Sequence, residues 1–251
     1  MHRIEWDESN SNCKVALENA EKGISVLDGS LKTLHGTQSS EQNMWFQFEQ
    51  DRSGYMVTGS NLVQLLKDNN DPRDSIYFGE NNAGSIVGAN PNGNSQGKSY
   101  LNNEYFGSDA SIDILSYEEN LLIQAECQYR LGNESEAQTK LQAAQTVAEE
   151  KWGFEEDTFS DISLTGSALI DKIIEEKYIA LFLNIEIWND YKRNCYPDVK
   201  YKKSEDDNGN PIYKYPPARV YYPEDERITN TSIPTITEQS EHNNNDPDVC
   251  P

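Results

Sequence analysis

The chain has 251 residues, and because only 35% of them are apolar and the mean hydropathy is -0.81, the sequence predicts a core interrupted by long polar loops. The formal charge of -22 excludes a nucleic-acid partner, since phosphate binding needs a basic stripe and the 21 lysines and arginines are scattered. The same charge disfavours adsorption to an anionic membrane, and no apolar run is long enough to span one.

The predicted elements begin with a helix over residues 11–28, whose apolar residues recur at helical spacing until Gly29 ends it. The next stretch, from Trp45 to Val57, is rich in aromatic residues and favours short strands or extended pieces. A short helix capped by Ser60 follows. This part of the chain is therefore predicted to be mixed in structure.

A long irregular segment comes after Asp71-Pro72-Arg73, which ends that short helix. Residues 79–111 are rich in Asn, Gly and Ser, and a loop of this length in a compact domain is usually functional or disordered. Within it, residues 93–97 match the G-x-S-x-G pattern of a hydrolase nucleophile. No helical period follows, and the downstream His242 lies near the end of the chain, so we interpret the match as loop composition.

Residues 115–152 are predicted to form a helical hairpin with its turn at Leu131-Gly132-Asn133, and Asn133 or Ser135 caps the second helix. Small residues on the second helix allow a close approach, as in a tetratricopeptide unit. One hairpin cannot bury its own face, and residues 167–193 are the nearest candidate to cover it. The residues predicted to line the hairpin are Leu122, Ala125, Tyr129, Ala137, Leu141, Ala144 and Ala148.

Residues 167–193 are predicted as one long amphipathic helix that Asn194 and Pro197 end. Glu175 and Glu176 lie beside its apolar stripe, and they do not indicate glycosidase chemistry because consecutive helix positions point about 100° apart. The stripe consists of Ile170, Ile174, Leu181, Ile185 and Trp188. Beyond this helix, Asn208-Gly209 predicts the turn of a strand hairpin.

Two segments carry a resemblance to a known family: residues 175–197, with their EEK and WNDYKR strings, and residues 217–230, with their Tyr-Pro element. Their order and spacing resemble the C-terminal half of the SusD/RagB family. Members are surface lipoproteins that capture nutrients, mostly glycans, for a TonB-dependent outer-membrane transporter. The signature residues are Glu176, Glu186, Trp188, Asp190, Arg193, Arg219, Tyr222 and Pro223.

The resemblance implies a mainly α, SusD-like fold, with a tetratricopeptide-type hairpin packed on a long C-terminal helix, long irregular loops and a few short strands. It covers residues 36–235, after the end of a preceding helical region at 1–35. Its parts are a loop-rich ligand region (36–112), a helical scaffold (113–193) and a C-terminal loop and hairpin signature (194–235), with a flexible tail at 236–251.

Family members also carry an export signal, a lipid-bearing Cys and N-terminal helices, which this sequence does not show, so we expect a C-terminal part of an outer-membrane surface lipoprotein. The cysteines have no metal-binding spacing, and Cys127 is expected in the core. Cys195 and Cys250 lie in loop-like sequence, and whether they pair stays open.

We interpret the signature residues as scaffold rather than ligand contacts. Trp188 is expected in the core, and Arg193 or Arg219 is expected to pair with Glu186 or Asp190 and so to fix the helix end to Tyr222-Pro223. Ligand contacts are expected in the variable loops, where aromatic faces stack on sugar rings and amides bond hydroxyls. The candidates are Trp45, Asn43, Tyr55, Tyr77, Tyr100 and Tyr105, together with Phe106, Asn102 and Asn103, and each has a core role as its alternative.

The resemblance implies a non-enzymatic nutrient-binding protein without a cofactor, whose partners are an oligosaccharide and a SusC-like, TonB-dependent transporter. Two alternatives come from other classes: a tetratricopeptide-type protein-interaction module, and a glycan hydrolase. The first would be favoured by further repeats. The second would require two carboxylates that face each other across a cleft.

Overall fold

The computed structural model describes residues 11–90, 96–159, 163–194, 196–199, 201–205, 208–209, 211–214 and 222–233. The helices are α1 (Ser11–Ala20), α2 (Met44–Asp51), α3 (Ser60–Asp68), α4 (Arg73–Tyr77), α5 (Tyr117–Arg130), α6 (Glu134–Trp152), α7 (Ser167–Ala180), α8 (Glu186–Asn194) and α9 (Glu224–Thr229), with a 3-10 turn at Leu27–Gly29. Two antiparallel pairs join β1 (Leu31–Thr33) to β2 (Ile112–Leu115) and β3 (Tyr201–Glu205) to β4 (Pro211–Lys214). The predicted mainly α architecture with a few short strands is confirmed.

The predicted hairpin is confirmed as α5 and α6, and α7 packs against both helices. Leu122 and Leu141 are fully buried between them, and Leu169 and Ile173 of α7 belong to the same core. Gly132, in the turn, has a φ of 85°, a left-handed conformation that glycine adopts at low cost. These three helices share one buried apolar core.

The first helix is shorter than predicted, because α1 ends at Ala20 and residues 27–29 form a separate 3-10 turn. The side-chain amide of Asn120 on α5 donates to the carbonyl oxygens of Ala20 (2.9 Å) and Ile24 (2.8 Å), and so it satisfies the carbonyls where the chain leaves the helix. A buried polar residue of another helix thus caps the end of α1.

The strands predicted between Trp45 and Val57 are wrong at their start, where α2 forms instead. The side-chain oxygen of Asn43 accepts from the backbone N–H groups of Trp45 (2.8 Å) and Phe46 (3.4 Å), which makes Asn43 the N-cap of this helix. The capping bonds outweigh the strand preference of the aromatic residues.

The single long helix predicted over residues 167–193 is wrong in one respect: it is broken into α7 and α8. Leu183 has a φ of 66°, outside the right-handed helical region, and the side-chain oxygen of Asn184 accepts from the N–H of Glu186 (3.0 Å) to begin α8. Consequently Ile185, predicted in the apolar stripe, is 75% exposed. Leu181 is buried as predicted, and Trp188 is half-buried rather than fully enclosed.

A buried ion network connects α4 to α5 and α7. Arg73 is 0% exposed, and its guanidinium bonds Asp71 (2.6 Å and 2.9 Å) and Glu176 (2.5 Å), with Glu118 at 3.7 Å. Its guanidinium carbon also lies 4.8 Å from the centre of the Phe159 ring. Opposite charges this close compensate one another's loss of water, so the network fixes the relative positions of the three helices.

A second ion network ties α7 to α5 and α8 around the signature residue Asp190. The Lys177 ammonium lies 2.8 Å from Asp190 and 3.5 Å from Glu126, and Glu126 pairs with Arg130 (2.9 Å). The predicted pairings of Asp190 or Glu186 with Arg193 or Arg219 stay predictions, because these arginine side chains lie outside the described residues. A scaffold role for this signature helix agrees with the Lys177 contacts.

The C-terminal strand hairpin is confirmed by the antiparallel pairing of β3 with β4, and Gly209 in its turn has a φ of 80°. Signature residue Pro223 precedes α9 as its N-cap, next to the half-exposed Tyr222. Cys195, Cys250, the start of the 93–97 motif and the 236–251 tail lie outside the described residues. The predicted segment boundaries also stay predictions.

Candidate functional site

A cleft of about 230 Å³ lies where β1 and β2 meet the C-terminal end of α6 and the turn after α7. Strand and loop residues form its polar side, and aromatic side chains from five separate places in the chain also line it. Its lining residues are Lys32, Trp45, Tyr77, Tyr105, Phe106, Ser111, Ile112, Asp113, Ser116, Lys151, Trp152, Ala180, Leu181, Phe182, Leu183 and Asn184.

The aromatic side of the cleft is one packed group of rings. Tyr77 stacks on Phe182 with ring centres 4.6 Å apart, and its edge meets Trp152 at 5.9 Å. The ring centre of Tyr105 lies 6.0 Å from that of Trp152, and the ring centre of Phe106 lies 5.8 Å from that of Phe182. Ring contacts of this kind restrict motion, so the cleft presents preformed apolar faces.

Tyr77 is fixed at its far end as well. Its hydroxyl donates to the carbonyl oxygen of Ile179 (3.0 Å) on α7, and burial raises the pKa of Tyr77 well above its ordinary value. Phe182, which stacks on this ring, lies in the break between α7 and α8. The feature that departs from the predicted long helix therefore helps to build the cleft.

The polar side of the cleft depends on the register of β1 and β2, which places Lys32 directly opposite Asp113. The Lys151 ammonium lies 2.9 Å from Asp113 Oδ2 and 4.9 Å from the centre of the Trp152 ring. Lys32 approaches Asp113 Oδ1 to only 3.7 Å. One carboxylate thus faces two ammonium groups, one held closely and one loosely.

Behind this side, Glu118 joins the cleft to the buried Arg73 network. Its carboxylate is 1% exposed and lies 3.5 Å from Lys151 and 3.7 Å from Arg73. Burial raises the pKa of Glu118, an effect that Lys151 and Arg73 oppose. Burial alone would lower the pKa of Lys151, but Glu118 and Asp113 raise it above its ordinary value, so Lys151 is charged at neutral pH.

The structure brings three of the predicted contact residues, Trp45, Tyr77 and Tyr105, together in the cleft, with Phe106 beside them. Asn43 is corrected: it is fully buried, its oxygen caps α2, and its amide nitrogen donates to Ala110 O (2.8 Å), so it serves the backbone rather than a ligand.

Two further predicted contact residues, Tyr55 and Tyr100, do not line the cleft. Tyr55 is 72% exposed, with the Arg52 guanidinium 5.9 Å from its ring centre, and Tyr100 is also exposed. Asn102 is used locally, since its side chain donates to Ser75 O (2.7 Å). Ligand contact by Tyr55 and Tyr100 stays a prediction, and neither residue lines the cleft.

Sequence reasoning missed most of the cleft, above all Trp152, Phe182 and the polar set of Lys32, Asp113 and Lys151. Trp152 had a usable signal, because it is a large aromatic at the very end of a helix, just before Gly153. Nothing in the sequence indicates that Lys32 and Asp113 face each other, since strands this short carry no register signal.

Other kinds of site find little support in the described part of the chain. No group of three or more His, Cys, Asp or Glu side chains there is arranged to hold a metal ion. Among the helices described, none has the length and apolar composition needed to cross a membrane. The cleft is therefore the site on which we base a function.

The family model that matches this sequence covers residues 6–223 and is described as SusD-like, starch-binding and associating with the outer membrane. A search among curated proteins finds no match. A SusD homologue from Bacteroides fragilis NCTC 9343 is similar in structure, with a TM-score of 0.66 and 19% identity over 88% of this chain and 57% of that one. A chitin-binding protein matches with a TM-score of 0.65 and 21% identity, over 88% of this chain and 54% of that one. A SusD homologue from Bacteroides vulgatus ATCC 8482 matches with a TM-score of 0.62 and 18% identity, over 77% of this chain and 47% of that one.

The chain spans about half the length of these three structures, 47% to 57% of each. At identities near 20% the likeness to them shows the fold, whereas the family model is matched over most of the sequence. The resemblance seen in the signature segments is thereby confirmed. This chain belongs to the SusD-like family.

Proposed function

We propose that the chain is part of a non-enzymatic glycan-binding protein of an outer-membrane uptake system, and that the cleft holds the sugar. The observation that carries this proposal is the pairing of preformed aromatic faces with charged donors and acceptors across one small cleft. A sugar ring has apolar C–H faces and polar hydroxyl edges, and it needs both kinds of surface. The starch-binding description of the family supports the same ligand class.

The absence of catalysis is also a proposal. Glycoside hydrolysis generally uses two carboxyl groups on opposite sides of the bond that is cleaved. Of the described residues that line the cleft, Asp113 alone carries a carboxylate, while Glu118 lies behind Lys151. This arrangement supports binding without turnover. The proposed partner is a SusC-like, TonB-dependent transporter, and the proposed full-length form is a surface lipoprotein.

The tetratricopeptide-type interaction module receives less support. In such a module the helical hairpin leaves a face open for a peptide, whereas here α7 packs on the hairpin and α1 packs on α5. The hairpin therefore acts as the base of the cleft, not as a groove of its own.

The test is calorimetry with maltoheptaose and chitohexaose, chosen for the starch and chitin named among the similar proteins. Trp45 is half-buried at the cleft, and Trp45→Ala should weaken binding by ~2 kcal/mol, or roughly thirtyfold, with an unchanged melting temperature. The matched control is Phe48→Ala, an exposed aromatic of the same helix that does not line the cleft. Failure of both sugars to bind, or equal effects of the two variants, would contradict the proposal.

A further inference from the structure

The Lys32–Asp113 pair stands out in the cleft because neither group has its hydrogen-bonding capacity filled by the described residues. Their 3.7 Å separation is an ion pair but too long for a hydrogen bond, and the side chains are 34% and 22% exposed. The other carboxylate oxygen, Asp113 Oδ2, pairs with the Lys151 ammonium at 2.9 Å. Asp113 Oδ1 thus has room to accept, and the Lys32 ammonium has donors to spare.

A third unfilled group lies in the cleft wall. The indole nitrogen of Trp152 is buried and has no hydrogen-bond partner among the described residues, although a buried indole N–H usually finds one. The Trp152 ring also lies beneath Lys151, so the aromatic and polar sides of the cleft meet at this residue. The exposed polar groups of the cleft, Asp113 Oδ1 as an acceptor and the Lys32 ammonium as a donor, thus lie next to apolar faces.

We propose that Lys32 and Asp113 are the specificity-determining pair of this cleft and take two neighbouring hydroxyl groups of an uncharged sugar ring. This inference rests on the proposed glycan binding. A hydroxyl both donates and accepts, so one hydroxyl donates to Asp113 Oδ1 while its neighbour accepts from the Lys32 ammonium. Hydrogen bonds that involve an ionised partner are about twice as strong as neutral ones, and this strength makes the pair selective.

The charges around the pair explain why the sugar is uncharged. Lys151 is already shared between Asp113 and Glu118, and Glu118 also faces Arg73, which Asp71 and Glu176 neutralise. The connected group holds the carboxylates of Asp71, Asp113, Glu118 and Glu176 and the cations of Lys32, Arg73 and Lys151. A sugar carboxylate placed at Lys32 would lie beside Asp113 in a protein of charge -22, and the cations of this connected group are already shared among its own carboxylates.

The experiment measures the affinity of the whole chain for maltoheptaose and chitohexaose in the variants Asp113→Asn and Lys32→Met. For the sugar that binds, Asp113→Asn and Lys32→Met should each weaken binding about tenfold or more, as expected for the loss of one charge-assisted hydrogen bond. The control is Lys22→Met, an exposed lysine outside the cleft, which should leave the affinity unchanged. If Asp113→Asn unfolds the chain, the affinity of the Lys32→Met variant serves as the test, because Lys32 is only loosely held.

A second comparison tests the charge of the sugar, using a galacturonic acid oligomer and its methyl ester, which differ only at the carboxylate. The ester should bind more tightly than the acid. Unchanged affinity in both cleft variants alongside a loss in Trp45→Ala would overturn this inference and leave the proposed function intact. Tighter binding of the acid would also overturn it, while unchanged affinity in all three variants would count against the cleft as the binding site.

Discussion

Two groups of charged residues in this protein differ in how fully their partners satisfy them. Around Arg73, the guanidinium bonds Asp71 and Glu176 at 2.5–3.1 Å and is closed off from water. At the cleft, Lys32 and Asp113 approach to 3.7 Å and both reach solvent. A buried guanidinium that is hydrogen-bonded to two carboxylates holds helices together, whereas a loose, exposed pair keeps capacity for a ligand. We therefore expect mutations in the first group to change stability and mutations in the second to change binding.

The largest effect is expected for Arg73→Met, which leaves Asp71 and Glu176 buried without their cation. Breaking a buried ion pair by removing one partner costs about 3–5 kcal/mol, so the free energy of unfolding should fall by that amount. Denaturant unfolding measures it. Arg52→Met, which removes an exposed arginine at the end of α2, is the control and should cost less than about 1 kcal/mol. A small loss for Arg73→Met would mean that the network does not hold the fold together.

The next effect is expected for Lys151→Met, because Lys151 contacts both groups. Its loss leaves Glu118 buried with only the more distant Arg73, at 3.7 Å, so we expect a destabilisation of about 2–3 kcal/mol. Lys140→Met on the same helix is the control, since Lys140 makes no ion pair with the described residues. Equal melting temperatures for the two variants would show that Glu118 does not depend on Lys151.

Most of the scaffold could be predicted from the sequence, and the cleft could be predicted only in part, for physical reasons. The leucines and small residues of α5 and α6 recur at helical spacing, so their burial follows from local pattern. The break at Leu183 and the cap at Asn43 are made by local hydrogen bonds of the Asn184 and Asn43 side chains, a weaker signal in the sequence than the apolar and aromatic patterns beside them. The pairing of Lys32 with Asp113 depends on strand register, which two short strands do not encode locally.

A smaller effect is expected for Tyr77→Phe, which removes the hydrogen bond to Ile179 O and should destabilise the fold by about 1–2 kcal/mol at neutral pH. Its pH dependence gives a sharper test. Burial raises the pKa of Tyr77, so above about pH 10 the unfolded chain releases this proton while the folded chain keeps it.

The stability that Tyr77 contributes is therefore complete below pH 10 and decreases as the pH rises further, by at most about 1.4 kcal/mol per pH unit. Melting curves between pH 8 and pH 11.5 should show a less steep alkaline loss in Tyr77→Phe than in the unmodified chain. Parallel losses in the two proteins would show that Tyr77 is not buried as described.

The smallest effect on stability is expected for Lys32→Met. A half-exposed ion pair at 3.7 Å contributes about 0–1 kcal/mol, so the melting temperature should hardly change even though sugar affinity falls. Arg73→Met should lose far more stability than Lys32→Met, and this difference separates the buried network from the cleft pair. A large loss of stability in Lys32→Met would show that the Lys32–Asp113 pair has a structural role instead.

A crystal structure of the chain with a bound oligosaccharide from the calorimetry panel tests most directly whether the cleft holds a sugar. We expect one sugar ring in the cleft, packed against the Trp45 side, with neighbouring hydroxyls within hydrogen-bond distance of Asp113 Oδ1 and the Lys32 ammonium. A sugar bound elsewhere, for example against the exposed rings of Tyr55 or Tyr100, with the cleft left to water, would contradict it.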